Sequence, residues 1–114
     1  MVRQGLRTVL DAYPDLEVVG EAWNGKEAVA SVERLQPSIV VMDINMPMMN
    51  GIDATSEIVA RYPDIVVIGL SVQAGGANEE AMKKAGAARL LTKEAAVDEL
   101  YQAILQALKG KALG

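Results

Sequence analysis

Apolar residues recur along this chain with two alternating periods. Val2, Leu6, Val9, Leu10 and Tyr13 fall at helical spacing, and Pro14 ends that pattern because its ring cannot continue a helix. Residues 16–22, LEVVGEA, are short and rich in β-branched side chains, which predicts a strand. After Asn24-Gly25, the apolar positions Ala28, Val29, Val32 and Leu35 mark a second helix, stopped by Pro37. Residues 39–42, IVVM, are apolar without alternation, as in a strand covered on both faces. A loop with Pro and Gly leads to a third helix over 52–62, and IVVIGL at 65–70 reads as another doubly covered strand. Gly75-Gly76 predicts a loop, and Asn78 an N-cap with Glu79 and Glu80 in the first turn of a helix ending near Gly86. Residues 89–92 predict a short strand. Val97, Leu100, Tyr101, Ile104, Leu105 and Leu108 line a last helix over 96–108, ended by Gly110.

The order αβαβαβαβα with short connectors implies an α/β domain: an open parallel sheet with helices on both faces and right-handed crossovers. The chain shows no internal repeat and no linker, so residues 1–114 read as one domain, a length that supports a packed core. Its 51% hydrophobic and 23% charged residues agree. A net charge of −4 argues against binding nucleic acid, which needs a basic face. With no cysteine there is neither a disulfide nor a thiolate metal site; with no histidine, the commonest general base and zinc ligand are gone, and with them the serine-hydrolase triad. No stretch is long enough to cross a bilayer and MVRQGLRTVLDAY has no signal-peptide core, so no membrane partner and a cytoplasmic location are expected.

In a sheet of this kind functional groups gather at the carboxyl ends of the strands. Those ends carry Asp43 after IVVM, Ser71 after IVVIGL and Lys93 after RLLT. Taken singly, such residues are usually a helix cap, a turn hydroxyl and a solvated charge. Together they place a carboxylate, a hydroxyl and an ammonium on one rim. Phosphoryl transfer needs little more than that, usually with Mg²⁺.

The segment VVMDINMPMMNGIDA resembles the phosphoacceptor stretch of the response-regulator receiver domains of two-component signalling. IGLS and AGAARLLTKEA are similar to that family's hydroxyl and lysine blocks. EVVGEAWNGKEAV resembles its second strand and following helix, above all in LuxR-type regulators and hybrid-kinase receivers. The likeness spans nearly the whole chain. It implies a flavodoxin-like fold and a module that is not an enzyme but receives phosphoryl on Asp43 from a histidine kinase or phosphotransfer protein. Ser71 would hydrogen-bond the phosphoryl group and Lys93 would pair with it. Mg²⁺ would be held by Asp43 and the backbone carbonyl of Asn45. Pro47 and Gly51 would shape the loop, Gly51 by permitting a φ that other residues resist.

The chain also departs from the pattern. The family opens with a strand that ends in two acidic residues, whereas MVRQGLR matches the first helix, so four strands and five helices are expected. None of Asp11, Asp15 or Glu21 stands in for the acidic pair, and weak Mg²⁺ binding follows. The lost strand would be central. Its slot must be closed by LEVVGEA moving beside IVVM or by a second chain, so a homodimer or strand-swapped oligomer is expected. Leu90 occupies the place of an aromatic ring that reorients on phosphorylation in the family. The reading from another class is a phosphorylation-deficient receiver-like module that acts only through contacts. A flavin binder is set aside for want of a phosphate-cradling Gly-rich loop. Met42, Met46, Met48 and Met49 read as gap fillers, and Trp23 as packed. Lys83, Lys84, Arg89, Asp98 and Glu99 would form a surface of mixed charge.

Overall fold

Three of the apolar runs pair side by side. The computed structural model describes residues 12–14, 24–44, 50–71 and 76–113. In chain order these form α1 (Gly25–Leu35), β1 (Ile39–Asp43), α2 (Gly51–Arg61), β2 (Val66–Ser71), α3 (Gly76–Ala85), β3 (Arg89–Thr92) and α4 (Lys93–Leu113). The strands are parallel in the order β1-β2-β3, with Asp43 opposite Leu70 and Ser71 opposite Thr92. The first predicted helix, save for 12–14, and the strand predicted over 16–22 lie outside the described residues. Three of the four expected strands and four of the five expected helices are therefore in view.

Period-2 alternation in β2 divides the core into two layers. Val66, Ile68 and Leu70 turn toward α4, where they pack with Leu91, Ala96, Leu100, Ala103 and Ile104. Val67 joins Met42 on the opposite face, under Ala28, Val29 and Val32 of α1, Ala54 and Ile58 of α2, and Met82 of α3. Helices thus cover both faces of an open parallel sheet, as the pattern predicts. Gly69 makes room in the second layer. A Cβ there would lie 2.5 Å from Met82 Cε and 2.9 Å from Leu90 Cδ1. Leu90 packs half-buried at the position where the family resemblance leads one to expect a ring.

The helix ends follow from local chemistry. Asn24 Oδ1 accepts the Glu27 N–H at 2.8 Å, and Asn50 Oδ1 accepts the Asp53 N–H at 2.9 Å. Each Asn-Gly pair is thus an N-cap followed by the first helical residue, with an acid in the first turn. Gln36 closes α1 in the left-handed region, and its N–H reaches Val32 O at 2.8 Å. Gly86, at φ 109°, ends α3 and rests on Val59. The ring of Tyr13 stacks on Tyr101 of α4 with centroids 3.7 Å apart.

Four expectations need correction. Asn78 lies inside α3, whose first residue is Gly76, so it is not the cap. Gly110 does not end the last helix, which runs on to Leu113. That helix also starts three residues earlier than its apolar periodicity suggests, at Lys93, because Thr92 caps it. Ile39, Val40 and Val41 are half-buried and not fully covered: among the described residues β1 pairs with β2 alone, while β2 pairs on both sides.

Candidate functional site

Parallel pairing sets the rim of the sheet in steps. Asp43 is the last residue of β1, opposite Leu70; Ser71 follows Leu70 and ends β2, opposite Thr92; Lys93 follows Thr92. Each site residue therefore stands one position beyond the partner of the previous one. Asp43 and Ser71 are buried, Ser71 at 1% exposure. Lys93 Nζ lies 2.7 Å from Asp43 Oδ2, with the carboxylate side chain 11% exposed and the lysine side chain 37%. The ammonium thus reaches inward from the surface to an almost enclosed carboxylate, within charge-assisted hydrogen-bond distance.

The backbone beneath Asp43 is held from two sides. The Ile44 N–H donates to Leu70 O at 3.0 Å, which carries the β1–β2 pairing one residue past Asp43. The Gly51 N–H donates to Ile44 O at 3.2 Å, tying the first turn of α2 to the same segment. A Cβ on Gly51 would stand 2.3 Å from Asp43 O and 2.6 Å from Ile44 Cα. This corrects the expectation for Gly51. Its φ is not in the left-handed region, and the glycine is needed because two backbones touch.

On the other side of the site, Thr92 Oγ1 accepts the Ala95 N–H at 3.0 Å and so fixes the first turn of α4, at whose first residue Lys93 sits. Sequence reasoning places Asp43, Ser71 and Lys93 on one rim, and the structure puts all three at strand ends. That reasoning gives Gly51 a supporting role for a different reason and misses that of Thr92. A Thr directly before the lysine, three residues ahead of Ala95, was the available sign of a cap.

Asn45, Pro47 and the methionines at 46, 48 and 49 lie outside the described residues, as do Asp11, Glu21, Asp15 and Trp23. Met42 is fully buried, as a core filler would be. Lys83, Lys84, Arg89, Asp98 and Glu99 are exposed, as expected. Among the described residues no three carboxylates gather as a ready-made metal cluster. Asp43 nevertheless offers the hard oxygen donor that Mg²⁺ prefers, an ion that takes one or two carboxylates and keeps several waters.

Residues 1–105 match the family described as the response regulator receiver domain. The transcriptional regulatory protein DegU of Brevibacillus brevis is 37% identical over 98% of this chain, which covers 48% of that protein. The response regulator GacA of Pseudomonas protegens is 35% identical over 97% of the chain and 52% of its own length. The chain thus spans about half the length of these curated relatives. Among solved structures, the response regulator domain of Thermotoga maritima CheB superposes with a TM-score of 0.86 at 34% identity, covering 92% of this chain and 86% of that one. A LuxR-family two-component response regulator from Aurantimonas sp. SI85-9A1 gives 0.87 at 33% identity, covering 93% and 76%. Receiver domains generally bind Mg²⁺ for their phosphorylation and interact with histidine kinases or phosphotransfer proteins. With its open parallel sheet, its rim of carboxylate, hydroxyl and ammonium, and a match over most of its length, this chain belongs to the response-regulator receiver domains of two-component signal transduction.

Proposed function

We propose that Asp43 is the phosphoacceptor of this receiver domain, with Lys93 and Ser71 as its partners in the reaction. The observation that carries the reading is the 2.7 Å pair of Lys93 Nζ and Asp43 Oδ2 at adjoining strand ends. A carboxylate oxygen of Asp43 forms the new O–P bond as the bond from phosphorus to the donor's imidazole nitrogen breaks. The electron pair of that bond stays with the imidazole, which takes up a proton. Lys93 then faces the added negative charge, and the Ser71 hydroxyl donates to a phosphoryl oxygen. Asp43 and the carbonyl of Asn45 would hold Mg²⁺, which when bound neutralises charge between carboxylate and phosphate. The donor is the phosphohistidine of a histidine kinase or a phosphotransfer protein, and the chain is a receiver of phosphoryl with no turnover of its own.

The curated relatives are about twice as long, so the receiver acts on an output unit beyond the residues described. With a net charge of −4 the chain itself makes no nucleic-acid contact, and it works in the cytoplasm as a single domain. Association with a second copy follows from the half-covered Ile39–Val41 run of β1, and native mass spectrometry tests it: a monomer throughout removes that part of the reading.

Intact mass after incubation with acetyl phosphate, with and without Mg²⁺, decides the main point. We expect a Mg²⁺-dependent gain of one phosphoryl group in the wild type and none in Asp43→Asn. A folded wild type that gains nothing supports the alternative reading, a receiver-like module that acts through its contacts alone.

A further inference from the structure

We propose that Thr92 is a positioning residue for phosphotransfer, acting through Lys93 without touching the phosphoryl group itself. The inference rests on the reading of Asp43 as acceptor, and the juxtaposition behind it is short. Thr92 is the last residue of β3, Lys93 is the first of α4, and no loop separates them. Thr92 Oγ1 accepts the Ala95 N–H at 3.0 Å, so one hydroxyl closes the first turn of the helix that carries the lysine. Thr92 holds the start of the helix through this cap and is itself paired with Ser71 in the sheet.

Lys93 needs such restraint. An ammonium in the first turn of a helix opposes the helix dipole, whose positive end lies there. An anion facing the ammonium offsets that repulsion, and Asp43 does so at 2.7 Å. Glu94, beside it in the first turn and exposed, offsets part of the charge without reaching into the rim. If the cap is lost, the first turn frays, and the long lysine side chain, already 37% exposed, gains water and alternative rotamers. The ammonium is then no longer held where the new charge develops. Displacement of a reacting or stabilising group by about 1 Å costs up to a hundredfold in rate.

Thr92→Val keeps the β-branched shape that suits the strand and removes the cap acceptor; Thr92→Ser keeps the acceptor. Two readouts are followed by mass spectrometry. One is phosphorylation of Asp43 by acetyl phosphate with Mg²⁺, and the other is acylation of Lys93 by an amine-reactive ester. The exposed Lys26, Lys83 and Lys84 serve as internal standards for the second. We expect Thr92→Val to slow phosphorylation on the order of tenfold and to speed acylation of Lys93 relative to the standards, and Thr92→Ser to restore both. In a Lys93→Met background Thr92→Val should have no further effect on phosphorylation, because its route runs through the lysine.

Unchanged Lys93 acylation in folded Thr92→Val overturns the inference, whatever Asp43 does. So does a loss of phosphorylation of the same size with and without the lysine, which would mark Thr92 as structural only. A wild type that is never phosphorylated overturns the reading of Asp43 and with it the role in phosphotransfer. The acylation readout then still decides whether the cap holds the lysine.

Discussion

The runs IVVM and IVVIGL read alike in sequence, yet the fold treats them differently. Every residue of β2 from Val66 to Ser71 is buried, whereas the first three residues of β1 are half-exposed and only Met42 and Asp43 are closed off. Side-chain character is the same in both strands. What differs is the number of paired neighbours: β2 lies between β1 and β3, and β1 pairs with β2 alone among the described residues. A continuous apolar run reports that both faces of a strand meet helices, but it carries no information about the two edges.

The contrast can be tested by truncation, taking the largest effect first. Ile68→Ala opens a cavity in the fully buried strand and should cost about 3–4 kcal/mol, read from urea denaturation. Gly69→Ala pushes a methyl against Met82 and Leu90 and should cost about 1–3 kcal/mol in the same assay. Val41→Ala, in the half-covered strand, should cost only about 1 kcal/mol. If Val41→Ala instead matches Ile68→Ala, or its cost grows with protein concentration, β1 is covered in solution and a second copy is the natural source of that cover. One effect of similar size to that of Val41→Ala has the opposite sign. Thr55 in α2 is completely buried and its hydroxyl has no hydrogen-bond partner among the described residues, so Thr55→Val should stabilise the domain by about 1 kcal/mol. A loss of stability in that variant would mean that the hydroxyl is satisfied in solution.

Much of the site was legible in the chain for a simple reason. In a parallel sheet the residue that follows each apolar run arrives at the same rim, so the sequence alone places Asp43, Ser71 and Lys93 together. The supports were harder to read. Gly51 is a glycine because a helix start and a strand end touch, and a contact between backbones far apart in the fold leaves no periodicity behind. The early start of α4 escaped the apolar pattern because its first turn, from Lys93 to Ala95, has no large apolar residue. By sequence, Asn24-Gly25 reads as a break between elements and Asn50-Gly51 as part of a loop. The acid three residues after each asparagine, Glu27 and Asp53, was the available sign that both are helix caps.

The direct passage from β3 into α4 has a mechanical meaning. A helix of 21 residues is a stiff rod roughly 30 Å long, and here its near end is the residue that meets the Asp43 carboxylate. With no slack between strand and rod, no flexible connector separates the backbone of Lys93 from that of β3. A displacement of that backbone would pass directly into α4, and a tilt of a few degrees would move the far end by more than an ångström. The rim and the far end of α4 are thus the two ends of one rod, which rests on the sheet through Leu100, Ala103 and Ile104.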